Sequence, residues 1–261
     1  LAFLSRIPLL SSYASTRGWP FIIAWCHRIA GLVLVGYLWF HIYTLLSLSS
    51  PSRYDATMKF YGFFLFRILE WALAIPVIFH AFNGGRLILY ESFERRDDES
   101  MNRWLLWLSI LYVALLGALM LMGNQSVSAV FFWLTMSVAG LTLAYGVASK
   151  VWTIQHSLLW KLQRITGAYL LILIPAHMLF MHLNYAMAHE ANTVAMRMQN
   201  YFIKAMDISL VLVVLYHAGY GLVSLTGDYL ESRTLRMGLA GLVFLVMLLF
   251  AAVGIRLTLV I

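Results

Sequence analysis

The sequence predicts an all-α protein, a polytopic bundle of about seven membrane-crossing helices, and three observations carry that prediction. First, charged residues make up only 11% of the 261 residues against 62% apolar ones, with a mean hydropathy of +0.82. Ordinary soluble domains carry about 25% charged residues, so a chain this poor in charge cannot cover itself with a polar surface and belongs in lipid. Second, seven apolar runs reach the ~20 residues a helix needs to cross a bilayer. Third, the chain repeats itself. HRIAGLVLVGYLWFH, from His27 to His41, aligns without a gap on QRITGAYLLILIPAH, from Gln163 to His177. Arg28 falls on Arg164, Gly31 on Gly167 and His41 on His177.

The apolar runs cover roughly 21–48, 64–90, 104–123, 127–149, 162–188, 203–227 and 236–260. Turn and charge signals fall between them: SSPSRYD, ESFERRDDESMNR, GNQS, HEANT and GDYLESR. The first run is long and no small-residue cleavage site follows it, which argues for a helix rather than a removed signal peptide. The fourth run is the least secure, since it holds Gly140, Gly146 and several Ser and Thr. Parity supports it. The second run has its own mate, since His80-Ala-Phe-Asn-Gly84 continues to Glu91 as His217-Ala-Gly-Tyr-Gly221 continues to Asp228. Two parallel units of three spans each must start on the same side, and an odd unit ends on the other. One extra crossing is needed between them. This divides the chain into a first unit at 1–123, a linking helix at 124–150 and a second unit at 151–261.

Orientation follows from the basic residues. With the N-terminus cytoplasmic, Arg6, Arg17, Arg28, Arg86, Arg95, Arg96, Arg103, Lys150, Lys161, Arg164, Arg233 and Arg236 lie inside. Arg53, Lys59, Arg67, Arg197, Lys204 and Arg256 lie outside, which is six against twelve. The N-terminus is therefore expected in the cytoplasm and the C-terminus outside. The net charge of +7 is topological, spread over short loops, and points to no nucleic acid. A single cysteine, Cys26, excludes a disulfide framework.

Of eight histidines, four lie deep in apolar runs: His41, His80, His177 and His217. Ionisable groups at that depth are costly and mark function, and neutral imidazole is a common ligand for iron. One such histidine is more often structural, but four at equivalent positions of a repeat reverse that preference. At 1.5 Å per residue, His80 and His217 lie ~16 Å before Glu91 and Asp228, nearer the inside. His41 lies ~30 Å along its helix from Phe21, in the outer half with His177. Two bis-histidine sites follow, and two stacked haems between them would form an electron wire. No C-x-x-C-H motif is present, so such haem would be held non-covalently. Gly31, Gly84, Gly167 and Gly221 recur near these ligands, where a flat macrocycle needs close approach or where helices simply pack. Arg28 and Arg164, with His27 beside the first, sit at the inner boundary, placed for haem propionates or lipid headgroups.

With these residues in hand, the chain resembles the membrane anchor, or cytochrome b subunit, of the succinate dehydrogenase and fumarate reductase family. HRIAG is similar to the His-Arg-x-Ser-Gly signature of the large anchor subunit, and HAFNGGRLILYE to its His-x-x-x-Gly-x-Arg…Asp signature. HAGYGLVSLTGDY is similar to the small subunit's His-Ala-x-x-Gly…Asp-Tyr. The resemblance spans both units and looks like a two-subunit, two-haem anchor fused through an added helix. It implies His80 and His217 as axial ligands of a proximal b-type haem, and His41 and His177 as ligands of a distal one. It implies Arg28 and Tyr229 as quinone contacts, with Asp228 and Arg164 as neighbours of quinone and propionates. Three departures stand out. The signature serine is Ala30, and the serine that often precedes the signature aligns with Ala24. A glutamate linked to proton transfer in some relatives is Leu215 here. Arg67 and Glu70, an i,i+3 pair in the outer half, are an interfacial salt bridge or a second quinone and proton site near the distal haem.

The resemblance further implies a respiratory role in the bacterial cytoplasmic membrane. The substrate would be menaquinone or ubiquinone. A flavoprotein and an iron–sulfur subunit would dock on the cytoplasmic face, with lipid around the bundle and a higher oligomer open to the complex. No dinucleotide fingerprint or cysteine cluster lies on this chain, so dicarboxylate chemistry belongs to the partners. Two other classes compete. A dihaem anchor of a hydrogenase or formate dehydrogenase would also place histidines in the membrane. A haem-free transporter with a parallel duplication would instead gather polar residues and broken helices at the midplane.

Overall fold

Capping and chain length together set the helices. A computed structural model describes residues 16–94 and 97–261, with only the backbone at Asp98. Arg6, Arg95 and Arg96 of the charge count fall outside the described residues. The seven expected spans are all present: α1 (Trp19–Leu45, continued by a 3-10 turn to Ser49), α3 (Phe64–Phe93), α4 (Asp98–Met122), α5 (Ala129–Val151), α6 (Leu158–Leu183), α9 (Tyr201–Tyr229) and α10 (Arg233–Val260). Three short helices lie between spans: α2 (Pro51–Tyr61), α7 (Ala186–His189) and α8 (Ala191–Met198). Five spans begin under a side-chain cap, because Asp97, Ser128, Ser157, Asn200 and Ser232 each accept a hydrogen bond from an amide of the first turn. Such a cap contributes about 0.5–2 kcal/mol. Gly123 ends α4 in the left-handed conformation, φ 61°, and its N–H reaches Leu119 O.

The chain threads alternately between two ends. One end carries Arg28, Glu91, Arg164 and Asp228 and is called the arginine end. The far end carries α2, α7 and α8. The fifth run was expected to reach 188, but α6 stops at Leu183. The reason is local pairing. Gln125 N donates to Leu183 O at 2.9 Å, and the Asn184 side chain accepts from Ala186 N at 3.0 Å. These bonds take over the groups that a longer helix would have used. The segments SSPSRYD and HEANT, expected as turns, lie at the starts of α2 and α8. Pro51 at the first turn explains the former, since its fixed φ suits that position. At this end the Tyr54 hydroxyl, pushed up to about 12 by burial, donates to Ala188 O.

The core sits in the far half, where Trp133 of α5, Leu173 and Phe180 of α6 and Ile203 of α9 are buried together with Tyr54. α6 is the most buried span, while α4 and α10 are the least buried. The linking helix α5 lies against α6 at Gly140, where a Cβ would collide with the Leu173 side chain. The glycine that counted against this span in the sequence is what lets the two helices touch.

Candidate functional site

The four deep histidines come together as two facing pairs. His80 of α3 faces His217 of α9 with ring centres 6.4 Å apart and planes at 89°. His41 of α1 faces His177 of α6 at 6.3 Å and 83°. A metal–nitrogen bond of about 2.0 Å plus roughly 1.1 Å from nitrogen to ring centre puts two opposed ligands of one metal about 6.2 Å apart. Both pairs have that spacing. Each pair takes one ring from residues 1–123 and one from residues 151–261. Gly31 and Gly167 lie beside His80 and His217, and His41 and His177 lie ten residues further along the same helices. The pairs are therefore ~15 Å apart along the bundle.

Hydrogen bonds orient the near pair. His80 Nδ1 is 3.2 Å from His27 O, which can only accept, so Nδ1 carries the proton and Nε2 keeps its lone pair. His217 Nδ1 is 3.4 Å from Thr166 Oγ1, whose own proton goes to Leu162 O at 2.7 Å. The same tautomer follows. Fixing one ring nitrogen by a hydrogen bond is how a protein presents the other to a metal. His27 stacks flat on His80, with ring centres 4.0 Å apart. Its repeat mate Gln163 is buried and donates from Nε2 to His217 O at 3.2 Å. In the far pair, His177 Nδ1 is buried without a hydrogen-bond partner. Trp133 of the linking helix lies 6.1 Å from the His177 ring, and Tyr37 lies 5.6 Å from His41.

The glycines do something more specific than clear space. A Cβ on Gly31 would meet His80 Cε1 at 3.1 Å, and one on Gly167 would meet His217 Cε1 at 3.2 Å. Gly84 faces His27 and Gly221 faces Gln163, each at 3.9 Å. Two glycines thus seat the imidazoles and two seat the residues behind them, the same way in each half.

At the arginine end the halves cross. Arg28 Nη1 donates to Tyr229 Oη at 2.7 Å and Nη2 to Asp228 Oδ2 at 2.8 Å. Arg164 Nε and Nη2 both reach Glu91 Oε2 at 2.6 Å. Exposed ion pairs contribute only about 0.2–1 kcal/mol, so these bonds locate the arginines more than they hold the bundle. Beside Arg28, an apolar cleft of ≈ 330 Å³ opens between α1, α9 and α10. Trp25, Leu32, Leu222 and Leu225 form its walls, with Arg28 and Tyr229 at its polar edge. Because Tyr229 accepts from Arg28, its own hydroxyl proton remains free to donate.

A family model for the succinate dehydrogenase/fumarate reductase transmembrane subunit matches residues 17–119 and 144–255. The chain belongs to that family. The match covers both halves and leaves 120–143, most of the linking helix, unmatched. The chain is also similar to the succinate dehydrogenase 2 membrane subunit SdhC of Mycobacterium tuberculosis strain H37Rv, 33% identical over 94 residues, which is 35% of this chain and 68% of that protein. No solved structure matches.

In this transmembrane subunit one expected pairing differs. Arg67 and Glu70 do not bond each other. Glu70 Oε1 instead lies 3.2 Å from His182 Nε2 on α6, and Arg67 lies over the Tyr185 ring at 5.9 Å. The i,i+3 spacing allowed the local pair, but a histidine on the packed neighbour offers a partner less exposed to solvent. His182 Nδ1 is anchored on Met178 O at 2.5 Å. The cavity beside these residues holds ≈ 30 Å³, about one water. Sequence reasoning also passed over Trp133, Thr166 and Gln163. For Gln163 and Thr166 a signal was present, since both stand inside the repeated stretch. Trp133 carried none, because its helix has no mate.

Proposed function

We propose that this chain is the dihaem b anchor of a succinate:quinone oxidoreductase. It carries electrons between an iron–sulfur subunit docked with its flavoprotein at the arginine end and a quinone held at Arg28. The observation that carries this is the pair of opposed imidazoles, repeated ~15 Å apart, each at the spacing of two ligands on one iron. His80 and His217 would hold the proximal haem, and His41 and His177 the distal one. When bound, the haems supply one-electron storage in apolar surroundings. The buried, unpartnered His177 Nδ1 and the glycine seats under His80 and His217 fit ligation. On this reading residues 1–123 act as the large-subunit unit, 124–150 as the link and 151–261 as the small-subunit unit. The arginine end faces the cytoplasm of a bacterial cell.

The quinone, menaquinone or ubiquinone, lies with its tail in the apolar cleft. A carbonyl oxygen takes a hydrogen bond from the Tyr229 hydroxyl and a second from Arg28. Asp228 holds the guanidinium in place. Reduction to quinol takes two electrons from the partner subunits and two protons from water at the boundary, and a hydrogen-bonded carbonyl oxygen gains basicity as charge develops. Glu70 and His182 are suited to passing a proton at the far end.

A dithionite-reduced minus oxidised spectrum of the purified complex, with haem quantified per chain, tests the haem reading. Two b-type haems per chain are expected. A colourless protein would leave the transporter class standing. Arg28→Ala tests the quinone site. Losing a charged hydrogen bond should lower quinone-dependent turnover by about 10–100-fold. Reduction of a water-soluble dye by the docked partners should continue at the parent rate. Equal loss of both activities would place Arg28 in assembly instead.

A further inference from the structure

The repeat gives the cleft a mate, and the mate is closed. Cleft residues Ile29 and Leu32 on α1 correspond to Ile165 and Ala168 on α6. Leu225 on α9 corresponds to Ile88 on α3. Arg28 corresponds to Arg164 and Tyr229 to Ser92. The open corner shows its apolar walls, with Ile29 54% and Leu32 51% exposed, whereas Ala168 is 1% and Ile88 7% exposed. Val147 and Val151 of the linking helix, with Leu143, cover Ile88, Ala168 and Ile165 in one packed cluster.

Two features close this corner. On α3 the position matching Leu222 is Gly85, and a Cβ there would meet Leu171 Cδ2 at 3.0 Å. The glycine therefore lets α3 and α6 close on each other, while Leu222 helps wall the open cleft. The linking helix then fills the outer side. The polar edge is dismantled too. Arg164 has two nitrogens on Glu91 and lies over the Trp160 ring at 4.7 Å. Ser92 Oγ, in the place of the Tyr229 hydroxyl's residue, is buried without a hydrogen-bond partner.

We infer that the Arg164 corner is a second, quasi-equivalent quinone position, closed by the linking helix, so that the chain presents one quinone headgroup site at this end instead of two. Val147, Val151 and Gly85 are thereby specificity-determining for where quinone binds. The inference rests on the quinone reading of the Arg28 cleft, and goes beyond it in giving the linking helix a task other than restoring topology.

The test uses the whole complex and a photoactivatable ubiquinone analogue, with labelled peptides mapped. The parent protein should take one label per chain, on α1 or α9. A Val147→Ala/Val151→Ala/Ile88→Ala variant, shown to keep the parent haem spectrum, should take a second label on α5 or α6. Should the triple variant not assemble, Val151→Ala alone should show the same new label at lower yield. Label on α5 or α6 of the parent overturns the inference. So does an assembled variant labelled only on α1 or α9, and in that case the Arg28 site stands. Parent protein labelled at neither corner removes the quinone reading and this inference together.

Discussion

Arg28 shows how little of a residue's role lies in its type. Its repeat mate Arg164 has the same side chain, the same helix position and an acid across the bundle. One borders an open cleft and the other a filled one. The difference is made by neighbours with no polar chemistry at all, Leu222 against Gly85 and open lipid against Val147. The histidines, by contrast, were legible because an imidazole deep in an apolar helix has few cheap explanations. Their pairing across halves followed from depth alone. What the sequence could not reveal was the partner of Glu70, since a complete-looking i,i+3 neighbour stood beside it and His182 lay 112 positions away. At this scale, on the dihaem reading, His41→Ala is expected to remove one haem of two. Haem per chain should fall by half, while the absorbance of the His80–His217 site remains. An unchanged haem count would make His41 structural.

Elements were legible in proportion to their hydrophobic length. All seven spans announce themselves because nothing but a helix satisfies ~20 apolar residues in lipid. The short helices α2 and α8 did not, being polar and close to the length at which an isolated helix is marginal. They form because tertiary contacts such as the Ala191 N–H on Asp55 Oδ1, at 2.8 Å, hold them. The linking helix lost credit for Gly140, although that glycine is its docking point. Gly140→Ala should therefore push Leu173 aside and cost about 1–3 kcal/mol. It should be read as a lower midpoint of thermal loss of the haem spectrum. Gly146, which faces nothing within 4 Å, should tolerate alanine without such a shift.

For the molecule as a whole, the halves hold each other by reciprocal contacts. The arginine of each pairs with the acid of the other, and each facing pair of imidazoles draws on both. Covalent continuity through 124–128 is then dispensable for architecture. Fragments 1–123 and 124–261, expressed together, should copurify with the haem content of the parent chain. Either fragment alone should carry none. Copurification without haem would mean that the loop fixes the depth of α4 against α6, as the Gln125–Leu183 bond at 2.9 Å already does in part.

The crossed pairing also sets a timetable for biogenesis. When only the first four helices have left the ribosome, His41 and His80 lack their facing imidazoles, and Arg28 and Glu91 lack their partners Asp228 and Arg164. The far pair of rings is completed when His177 is made, and the near pair only with His217. On the dihaem reading, neither site is finished before residues of the second half have been made. On that reading loading of the near site waits for α9, and a chain that stops before it offers no facing rings there to a passing porphyrin.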